Sequence, residues 1–502
     1  MKYNSNRNKI LKVKGGIFLE AVVGWLNGVL WSSPVIYLIL AIGLVFSIMT
    51  RFLQVRHIKE MFKLMFQGKS SDAGVSSFQA LALSLSGRVG TGNIAGTATA
   101  IAFGGPGAVF WMWTIAFIGA SSAFIESTLA QIYKVKQDGQ YRGGPAYYIE
   151  KGMGWRWYGV IFAAASILAM ALLMPGIQSN SIALGLENAF GLNKWITAIG
   201  LVILLGVIIF GGVKRIAKVA QYAVPFMALG YIFLSLIIVV MNITELPAVF
   251  ALIFKSAFAL DSAFGGIVGM AIAWGVKRGI YSNEAGQGTG PHAAAAAEVS
   301  HPAKQGLVQA ASVYIDTLLV CSATAFMILF TGMYNVEKED GTMLVNNLNG
   351  VEAGPAYTQA AIESVLPGFG AGFVAVALFF FAFTTIMAYY YIAETNVAYI
   401  FRGKNNTWAI AALKIVLLGA TMYGAVKTAE LAWALGDVGL GIMVWLNMVA
   451  IVLLYKPALK ALKDYEEQKK QGIDPVFDPV KLGIKNADFW EKEAKPDQEK
   501  VS

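Results

Sequence analysis

The stretch Ser86-Gly-Arg-Val-Gly-Thr-Gly-Asn-Ile-Ala-Gly96 interrupts an apolar segment that runs from about Phe78 to Phe103. An apolar helix of roughly 20 residues crosses a bilayer, and this segment is long enough to do so. Glycine weakens a helix interior, and an unpaired backbone group in hydrocarbon costs several kcal/mol. We therefore predict a discontinuous helix whose break is surrounded by protein or water and binds a small solute.

The composition of the whole chain is that of a protein that crosses a membrane many times. Of the 502 residues, 57% are hydrophobic and 14% are charged, which is more apolar side chain than a soluble core needs. One cysteine excludes an intrachain disulfide framework, and the three histidines lack the spacing of a zinc site. The net charge of +9 is explained better by membrane topology than by nucleic-acid binding.

Apolar windows predict an all-α protein with about eleven transmembrane helices. The predicted spans are 31–50, 78–102, 105–133, 158–187, 192–211, 219–241, 262–283, 304–331, 366–400, 406–426 and 433–455. Most Lys and Arg residues, including Lys277 and Arg278, fall in one set of connections, and connections rich in Lys and Arg stay in the cytoplasm. We therefore expect a protein of the cytoplasmic membrane with its C-terminus inside and, because the span count is odd, its N-terminus outside.

The ten spans after the first form two groups of five with opposite orientations. The first group, 78–241, opens with the interrupted segment, and the second, 262–455, opens with another glycine-rich span. Two glycine-interrupted helices at corresponding positions indicate an inverted-repeat transporter with its site at the breaks. Residues 1–77 add an N-terminal segment, one helix and a basic loop. Residues 456–502 form a charged cytoplasmic tail, expected to be a solvated helix with a disordered end.

The residues of the first break suit a carboxylate and a hard cation. A half-helix that starts here exposes backbone amides and the positive end of its dipole, which attract an anion. The residues expected to bind the substrate are Gly90, Thr91, Gly92 and Asn93. The carbonyl of Val89 is free to coordinate sodium, and the hydroxyls of Thr384 and Thr385 in the 366–400 span can complete that site.

The same residues are also compatible with purely structural roles. Gly92-x-x-x-Gly96 alone can be a close helix-packing face, and threonine hydroxyls can bond to carbonyls of their own helix. A loose dinucleotide-binding pattern at Gly90 lacks the strand and the βαβ unit that it requires. Gln178 follows a kink expected at Pro175, where it either hydrogen-bonds a ligand or makes an interhelical contact.

Arg88, Glu126 and Asp316 fall inside predicted spans. Charges at such depth are costly and either pair with one another or face water. We expect Arg88 to pair with one of the two acids, either as a gate or as a structural contact. The predicted spans contain no nucleophile–base pair or metal cluster, which argues against an enzyme.

Five blocks of the sequence resemble the alanine or glycine:cation symporter family. They are residues 86–96, 141–152, 178–181, 274–286 and 383–385, in order across nearly the whole membrane region. The resemblance implies a LeuT-like five-plus-five inverted repeat with two discontinuous helices. It also implies import of a small neutral amino acid with Na⁺, or with H⁺, by alternating access.

The resemblance further assigns roles to individual residues. It implies that the amides of Thr91 and Gly92 hold the substrate carboxylate and that Gln178 faces the substrate. It also implies that the carbonyl of Val89 coordinates sodium together with Thr384 and Thr385.

The sequence departs from the family at Met174–Ile177 and at Tyr389, both of which can line the side-chain pocket. The substrate expected is alanine or glycine, with serine or glutamine as alternatives. The alternatives to sodium symport are a proton-coupled symporter and a passive facilitator or channel. The expected partners are the amino acid, the coupling ion and membrane lipid, and no nucleic acid.

Overall fold

The computed structural model describes residues 20–68, 70–211, 213–260, 264–403 and 406–492. The basic N-terminal residues 1–19 and the end of the predicted tail, 493–502, lie outside the described residues. The described chain is a bundle of helices with two short β-hairpins.

In chain order the helices are α1 (Glu20–Leu30), α2 (Ser33–Met49), α3 (Leu53–Arg56), α4 (Ile58–Met65), α5 (Ser77–Arg88), α6 (Thr97–Gly104), α7 (Gly107–Ile132), α8 (Pro145–Met153), α9 (Arg156–Leu168), α10 (Pro175–Phe190), α11 (Lys194–Ile209), α12 (Val213–Met241), α13 (Leu246–Ala257), α14 (Val268–Asn283), α15 (Gly290–Ala296), α16 (Pro302–Tyr314), α17 (Ser322–Thr331), α18 (Pro355–Val365), α19 (Gly370–Ile400), α20 (Thr407–Val426), α21 (Ala429–Lys470) and α22 (Asp488–Lys492). The π-helical turns are Gly92–Gly96, Ala169–Leu173 and Ile315–Cys321, and the 3₁₀ turns are Ile243–Glu245 and Gly265–Ile267. The antiparallel hairpins pair β1 (Val135–Gln137) with β2 (Gln140–Arg142) and β3 (Asn335–Glu337) with β4 (Met343–Asn346).

Seven helical segments of the described chain are long and apolar enough to cross a membrane, or eight if α1 and α2, which meet at a bend of 42°, form one span. This establishes a multi-pass membrane protein. The count is lower than the eleven predicted because several segments are broken or short. The predicted spans 78–102 and 262–283 contain or end at breaks, and α11 has 16 residues. The outward faces of α11 and α12 expose apolar side chains such as Ile203 and Phe233.

The first broken segment consists of α5, the π turn and α6. Ser76 begins α5 with a capping box, since its hydroxyl accepts from Gln79 N and the Gln79 side chain accepts from Ser76 N. The helix ends at Arg88, and Val89 leaves the helical conformation with ψ 88°. Gly92 then begins the π turn that leads into α6. The predicted discontinuity at this stretch is therefore present.

The second broken segment consists of α14 and α15, and its break lies at 284–289. The interruption predicted at the glycines of 262–283 is wrong in its location: Gly275 and Gly279 lie within regular helix and pack against α7. The chain leaves α14 because Glu284, Gly286 and Gly288 all have positive φ, at 55°, 78° and 86°. A right-handed helix cannot continue through such residues.

The chain after the last long helix packs against the protein. We call residues 471–492 the C-terminal strap. Within it Phe477, Ile484, Phe489 and Trp490 are buried, and Phe477 N donates to Ser300 O at 3.0 Å. The prediction of a solvated tail with a disordered end is therefore wrong for residues 471–492. These apolar side chains bury surface that a solvated segment would leave in water.

Candidate functional site

The first break is a turn held by its own side chains. Asn93 Oδ1 accepts from Gly90 N at 2.8 Å, and Asn93 N donates to Gly90 O at 3.2 Å. This reciprocal pairing satisfies backbone groups that the end of α5 would otherwise leave without partners. Thr91 is fully buried, and its hydroxyl has no hydrogen-bond partner in the structure. The break therefore contains one buried hydroxyl that has no partner among the described residues.

Gln178 of α10 closes this turn from the side. Its Oε1 accepts from Thr91 N at 3.1 Å, and its Nε2 donates to the hydroxyls of Tyr281 and Tyr389, both at 3.2 Å. One amide thus joins α10 to the first break, to α14 and to α19. A π turn at Ala169–Leu173 precedes Gln178, and Pro175 then starts α10; the kink expected at Pro175 stays a prediction.

The two threonines of α19 face different neighbours. Thr385 Oγ1 donates to Phe381 O at 2.9 Å and lies 3.5 Å from Val89 O, at the open end of α5. Thr384 Oγ1 donates to carbonyls of its own helix and lies 3.9 Å from Met227 Sδ of α12. The structure therefore brings Thr385, and not the hydroxyl of Thr384, to the carbonyl of Val89.

Asp316 ties the first break to the second broken segment. Its Oδ1 accepts from Asn93 Nδ2 at 2.6 Å and from Ser282 Oγ at 3.1 Å, and its Oδ2 accepts from Thr317 Oγ1 at 2.8 Å. All four side chains are buried. A buried carboxylate needs this many donors to offset its lost hydration. The first break and α14 are therefore joined through Asp316.

Glu126 of α7 supports the second break from behind. Its carboxylate oxygens accept from Gly286 N at 3.2 Å and from Gly288 N at 3.1 Å, and Asn447 Nδ2 donates to Oε2 at 2.7 Å. These bonds satisfy the amides of a segment that is neither helix nor strand. Glu126 therefore fixes the shape of the break.

Arg88 does not make the predicted ion pair. It is buried and donates to Gln309 O at 3.1 Å and to Ser312 Oγ. Within the part of the chain that the structure describes, no carboxylate lies within ion-pair distance of Arg88, and the carboxyl groups of Glu126 and Asp316 accept hydrogen bonds from the partners given above. Its Nε and Nη2 atoms are buried without partners.

A cavity of about 640 Å³ opens beside α6, α14, the β3–β4 hairpin and α21. Asp437 of α21 lies on its wall and forms ion pairs with Lys277 Nζ at 2.6 Å and Arg278 Nη1 at 2.8 Å. The Arg278 guanidinium lies 4.3 Å from the Trp433 ring centre and 5.8 Å from that of Tyr281. Tyr281 in turn accepts a hydrogen bond from Gln178 beside the first break.

The model of one protein family matches residues 17–479 of the chain, and the description of that family is sodium:alanine symporter. The chain belongs to the sodium:alanine symporter family. The resemblance seen in the five sequence blocks is thereby confirmed. As a member of the sodium:alanine symporter family the protein is a transporter and not an enzyme.

Three relatives are similar over nearly their whole length. YrbD of Bacillus subtilis (strain 168), whose name describes a sodium/proton-dependent alanine carrier, is 77% identical over 96% of this chain and 99% of its own. The sodium/proton-dependent alanine carrier of Bacillus sp. (strain PS3) is 61% identical over 88% of this chain and 99% of its own. GlnT of Bacillus subtilis, named for sodium/glutamine symport, is 46% identical over 91% and 93%.

The structure of this sodium:alanine symporter family member adds residues that the sequence did not single out. Tyr281 contacts Gln178, Asp437 forms ion pairs with Lys277 and Arg278, and the chain turns at Glu284 to begin the second break. Tyr281 and Glu284 lie in the family block 274–286, which was the available signal. Asp437 carried a weaker signal, since it is an acid inside the predicted span 433–455.

Proposed function

We propose that the protein is a secondary active symporter that imports a small neutral amino acid together with Na⁺ by alternating access. The observation that supports this most strongly is the Gln178 side chain, which links the amide of Thr91 at one helix break to Tyr281 and Tyr389. A ligand carboxylate at the Thr91 amide would displace the Gln178 amide oxygen and free this side chain to bind the ligand. Binding would thereby change the packing of three helices at once.

The proposed substrate site consists of Gly90, Thr91, Gly92, Asn93, Gln178 and Tyr389, to which the structure adds Tyr281. Backbone amides and the free Thr91 hydroxyl suit a carboxylate. The tyrosine hydroxyls place polar groups on the pocket wall. Alanine is the preferred candidate because two relatives are named for its transport. Glutamine is the alternative to test, since a third relative is named for it.

The proposed sodium site consists of the Val89 carbonyl and the Thr385 hydroxyl, with Thr384 as a weaker candidate. The first two oxygens lie 3.5 Å apart between α5 and α19. A cation between them would stabilise the contact of a broken helix with an unbroken one. Proton coupling is the alternative, because relatives are named for both ions.

The architecture that we propose is the LeuT-like five-plus-five inverted repeat, with repeats at 78–241 and 262–455 and flanking segments at 1–77 and 456–502. Its support is that α5/α6 and α14/α15 are both broken and that Asp316 joins the two breaks. The proposed location is the cytoplasmic membrane, with the N-terminus outside and the C-terminus in the cytoplasm.

Uptake of radiolabelled L-alanine into proteoliposomes tests this function, with inward gradients of Na⁺ or H⁺ imposed separately. Accumulation that requires the sodium gradient is the expected result, and competition by glycine, serine and glutamine ranks the substrates. Accumulation that depends on the proton gradient alone would remove sodium from the proposal. Equilibration without accumulation would indicate a facilitator.

The sodium site is tested by two matched variants. Thr385→Ala removes an oxygen beside Val89 and should raise the sodium concentration for half-maximal uptake by about tenfold, the equivalent of about 1.4 kcal/mol. Thr384→Ala removes a hydroxyl directed toward Met227 and should have a much smaller effect. Equal increases would indicate that both threonines coordinate sodium. No increase in either variant would mean that sodium binds elsewhere.

A further inference from the structure

Glu284 differs from the other two acids near Arg88 in having an unused oxygen. Both carboxylate oxygens of Glu126 and of Asp316 accept hydrogen bonds from buried donors. Glu284 Oε2 accepts from Thr289 Oγ1 at 2.8 Å, whereas Oε1 is buried without a partner. A buried oxygen of an ionised carboxylate that lacks a donor is strongly unfavourable. Protonation of the carboxyl group or a bound cation would relieve this cost.

A small cavity of about 10 Å³ adjoins this carboxyl group. Its lining residues with polar side chains are Ser84, Glu284, Thr289 and Tyr391, and the Ser84 hydroxyl is also buried without a partner. A volume of roughly this size holds one water molecule when polar partners are present. Ser84 and Glu284 both line this cavity and each has an unpartnered oxygen, so a water bound there would supply a partner to both.

The cavity lies between elements that meet at the two breaks. Glu284 ends α14 in a left-handed conformation, with φ 55°. A Cβ at Gly87 of α5 would lie 3.2 Å from Glu284 Oε2, so the absence of a side chain there lets the carboxyl group approach α5. The opposite wall is made by Gly290 of α15 and Ala388 of α19. The charge of Glu284 therefore acts where both broken helices and α19 meet.

We propose that Glu284, with Ser84, Thr289 and the cavity water, is a proton-binding site of the transport cycle. The cavity water takes up a proton from the aqueous phase as a hydronium ion and passes one proton to Glu284 Oε1. One O–H bond of the hydronium ion breaks, one O–H bond forms at Oε1, and the neutral water that remains accepts a hydrogen bond from the new O–H group. Release reverses the transfer. No other bond forms or breaks. This inference rests on the proposed function as a symporter and names the group that would carry H⁺ beside Na⁺.

The groups around the cavity favour a proton over a metal ion. A Cβ at Gly290, which lines the cavity, would lie 2.6 Å from Arg88 Nη2 and 3.6 Å from Ser84 Oγ, so a positively charged guanidinium already lies beside the cavity. Among the described lining residues, the side chains that contain oxygen are those of Ser84, Glu284, Thr289 and Tyr391. The titratable or charged groups that face Glu284 or its partner Thr289 are Arg88, Glu126, Asp316, Tyr281, Tyr389, Tyr391 and His292.

These neighbours leave Glu284 as the group that changes charge. Glu126 and Asp316 each accept hydrogen bonds at both carboxylate oxygens, whereas Glu284 has one oxygen without a donor. The ring nitrogens of His292 contact Thr289 O and Asn396 Nδ2, at 3.1 Å and 2.9 Å. Protonation of Glu284 would remove a negative charge that acts on Arg88, which weakens the attraction of the end of α5 to the second break.

The test uses the full-length protein in proteoliposomes loaded with a pH-sensitive dye. Addition of alanine should acidify the lumen for the wild type. In Glu284→Gln the proton influx per alanine should fall by about tenfold, within the range of ordinary coupling between sites, while exchange of internal for external alanine continues. Proton influx equal to that of the wild type would overturn the proposal. A loss of ²²Na⁺ influx with proton influx intact would also overturn it and assign the site to sodium.

A second pair of variants keeps the proposal testable if Glu284→Gln does not fold. Thr289→Val removes a donor to the ionised form of Glu284 and should move the midpoint of the pH dependence of uptake upward by about one unit. Thr317→Val removes the matching donor to Asp316 and should leave that midpoint in place. A shift in the second variant alone would overturn the assignment. Failure of the wild type to accumulate alanine at all would instead refute the proposed function.

Discussion

Gly92 is packed too tightly at the first break to carry a side chain. A Cβ at this position would lie 3.0 Å from Tyr281 Cδ1 and 3.2 Å from Ser282 Cα of the opposing broken helix. Overpacking of this kind costs about 1–3 kcal/mol, and here it would separate the two breaks. We expect Gly92→Ala to lower the initial rate of alanine uptake per reconstituted protein by about tenfold, the rate equivalent of about 1.4 kcal/mol.

Gly96, four residues further along, provides the matched control. A Cβ there would meet its nearest neighbour, Trp433, at 3.7 Å, which is ordinary contact. Gly96→Ala should therefore keep uptake near that of the wild type. If both variants transported equally well, the first break would not be the substrate site, and the Gly92-x-x-x-Gly96 pattern would be a packing face only.

For individual residues, the sequence identified those that do not fit the helix in which they lie. Gly92 and Asn93 inside an apolar span, and Gln178 after Pro175, are unfavourable in a plain membrane helix, and the structure places them together. Tyr281 was missed because an aromatic residue near a helix end looks like ordinary packing. Only the positions of α10 and α19 reveal that its hydroxyl meets Gln178. Thr384 and Thr385 looked equivalent because sequence does not say which of two adjacent hydroxyls faces the break.

Among the elements, the C-terminal strap is held to the end of α7 by one large side chain. Trp490 is buried, and its Nε1 donates to Gln131 O at 2.9 Å. The rings of Tyr141, Phe489 and Trp490 surround Lys134 Nζ at 4.5 to 5.0 Å. Loss of a buried tryptophan costs about 3–5 kcal/mol, so Trp490→Ala should release the strap.

Hydrogen–deuterium exchange of the strap amides measures this release. We expect the amide of Phe477, which donates to Ser300 O, to lose most of its protection in Trp490→Ala. Val480 is in the same strap and is 64% exposed, so Val480→Ala should leave the protection unchanged. Protection that survives in Trp490→Ala would mean that contacts other than the Trp490 ring hold the strap.

His301 makes the docking of the strap depend on pH. Its Nδ1 accepts from Ala303 N, its Nε2 donates to Asp464, and its ring contacts Phe477. Burial lowers the pKa of His301 below 6.5, and the hydrogen bond with Asp464 offsets only part of this effect. The undocked state thus binds a proton more readily, so docking is strongest above pH 6.5 and weakens as the pH falls through that value.

Exchange protection of the strap, compared between about pH 7.5 and pH 5.5 after correction for the intrinsic rate, checks this expectation around the ordinary histidine pKa. His301→Asn keeps an acceptor at the helix N-cap, where asparagine is favourable, but does not titrate. Its protection should not vary with pH. A wild type whose protection rises at the lower pH would contradict the expected direction.

The elements show why sequence patterns succeeded at the first break and failed at the second. Val89–Asn93 combines glycine with polar residues, which identifies a break. In 262–283, Gly275 and Gly279 instead allow close packing of α14 against α7: a Cβ at Gly275 would lie 2.6 Å from Trp111 Cβ. The strap was misjudged because its charges outnumber its aromatic residues, although Phe477, Phe489 and Trp490 were the signal for docking.

For the whole molecule, counting basic residues in loops was misleading at one point. Lys277 and Arg278 were assigned to a cytoplasmic connection, but both lie in α14 and bind Asp437 beside the cavity that includes Asn335 and Glu337 of β3. That hairpin follows the predicted span 304–331, on the side expected to be outside. A charge count treats every Lys and Arg as solvated, whereas a buried acid elsewhere in the chain can bring them into the core.

The asymmetry of this cluster separates a gate from a structural ion pair. Lys277 and Arg278 are adjacent, and both bind Asp437, but the Arg278 guanidinium alone lies close to Trp433, 4.3 Å from its ring centre, and next to Tyr281. Lys277→Met and Arg278→Met each leave Asp437 with one cation, so they perturb the charge balance equally. A purely structural role predicts equal effects, whereas a gate predicts that only Arg278→Met fails to close the cavity from the breaks.

We therefore expect Lys277→Met to retain most of the alanine uptake. In Arg278→Met the uptake rate should fall by about tenfold, which corresponds to a transport barrier raised by about 1.4 kcal/mol. Alkylation supplies the second readout. The single cysteine, Cys321, is buried and lies 3.2 Å from Ser282 Oγ, behind the cluster. A membrane-impermeant maleimide added to the cavity side should label it faster in Arg278→Met than in Lys277→Met. Equal labelling together with equal uptake would make the cluster a structural ion pair, since charge balance alone would then account for both variants.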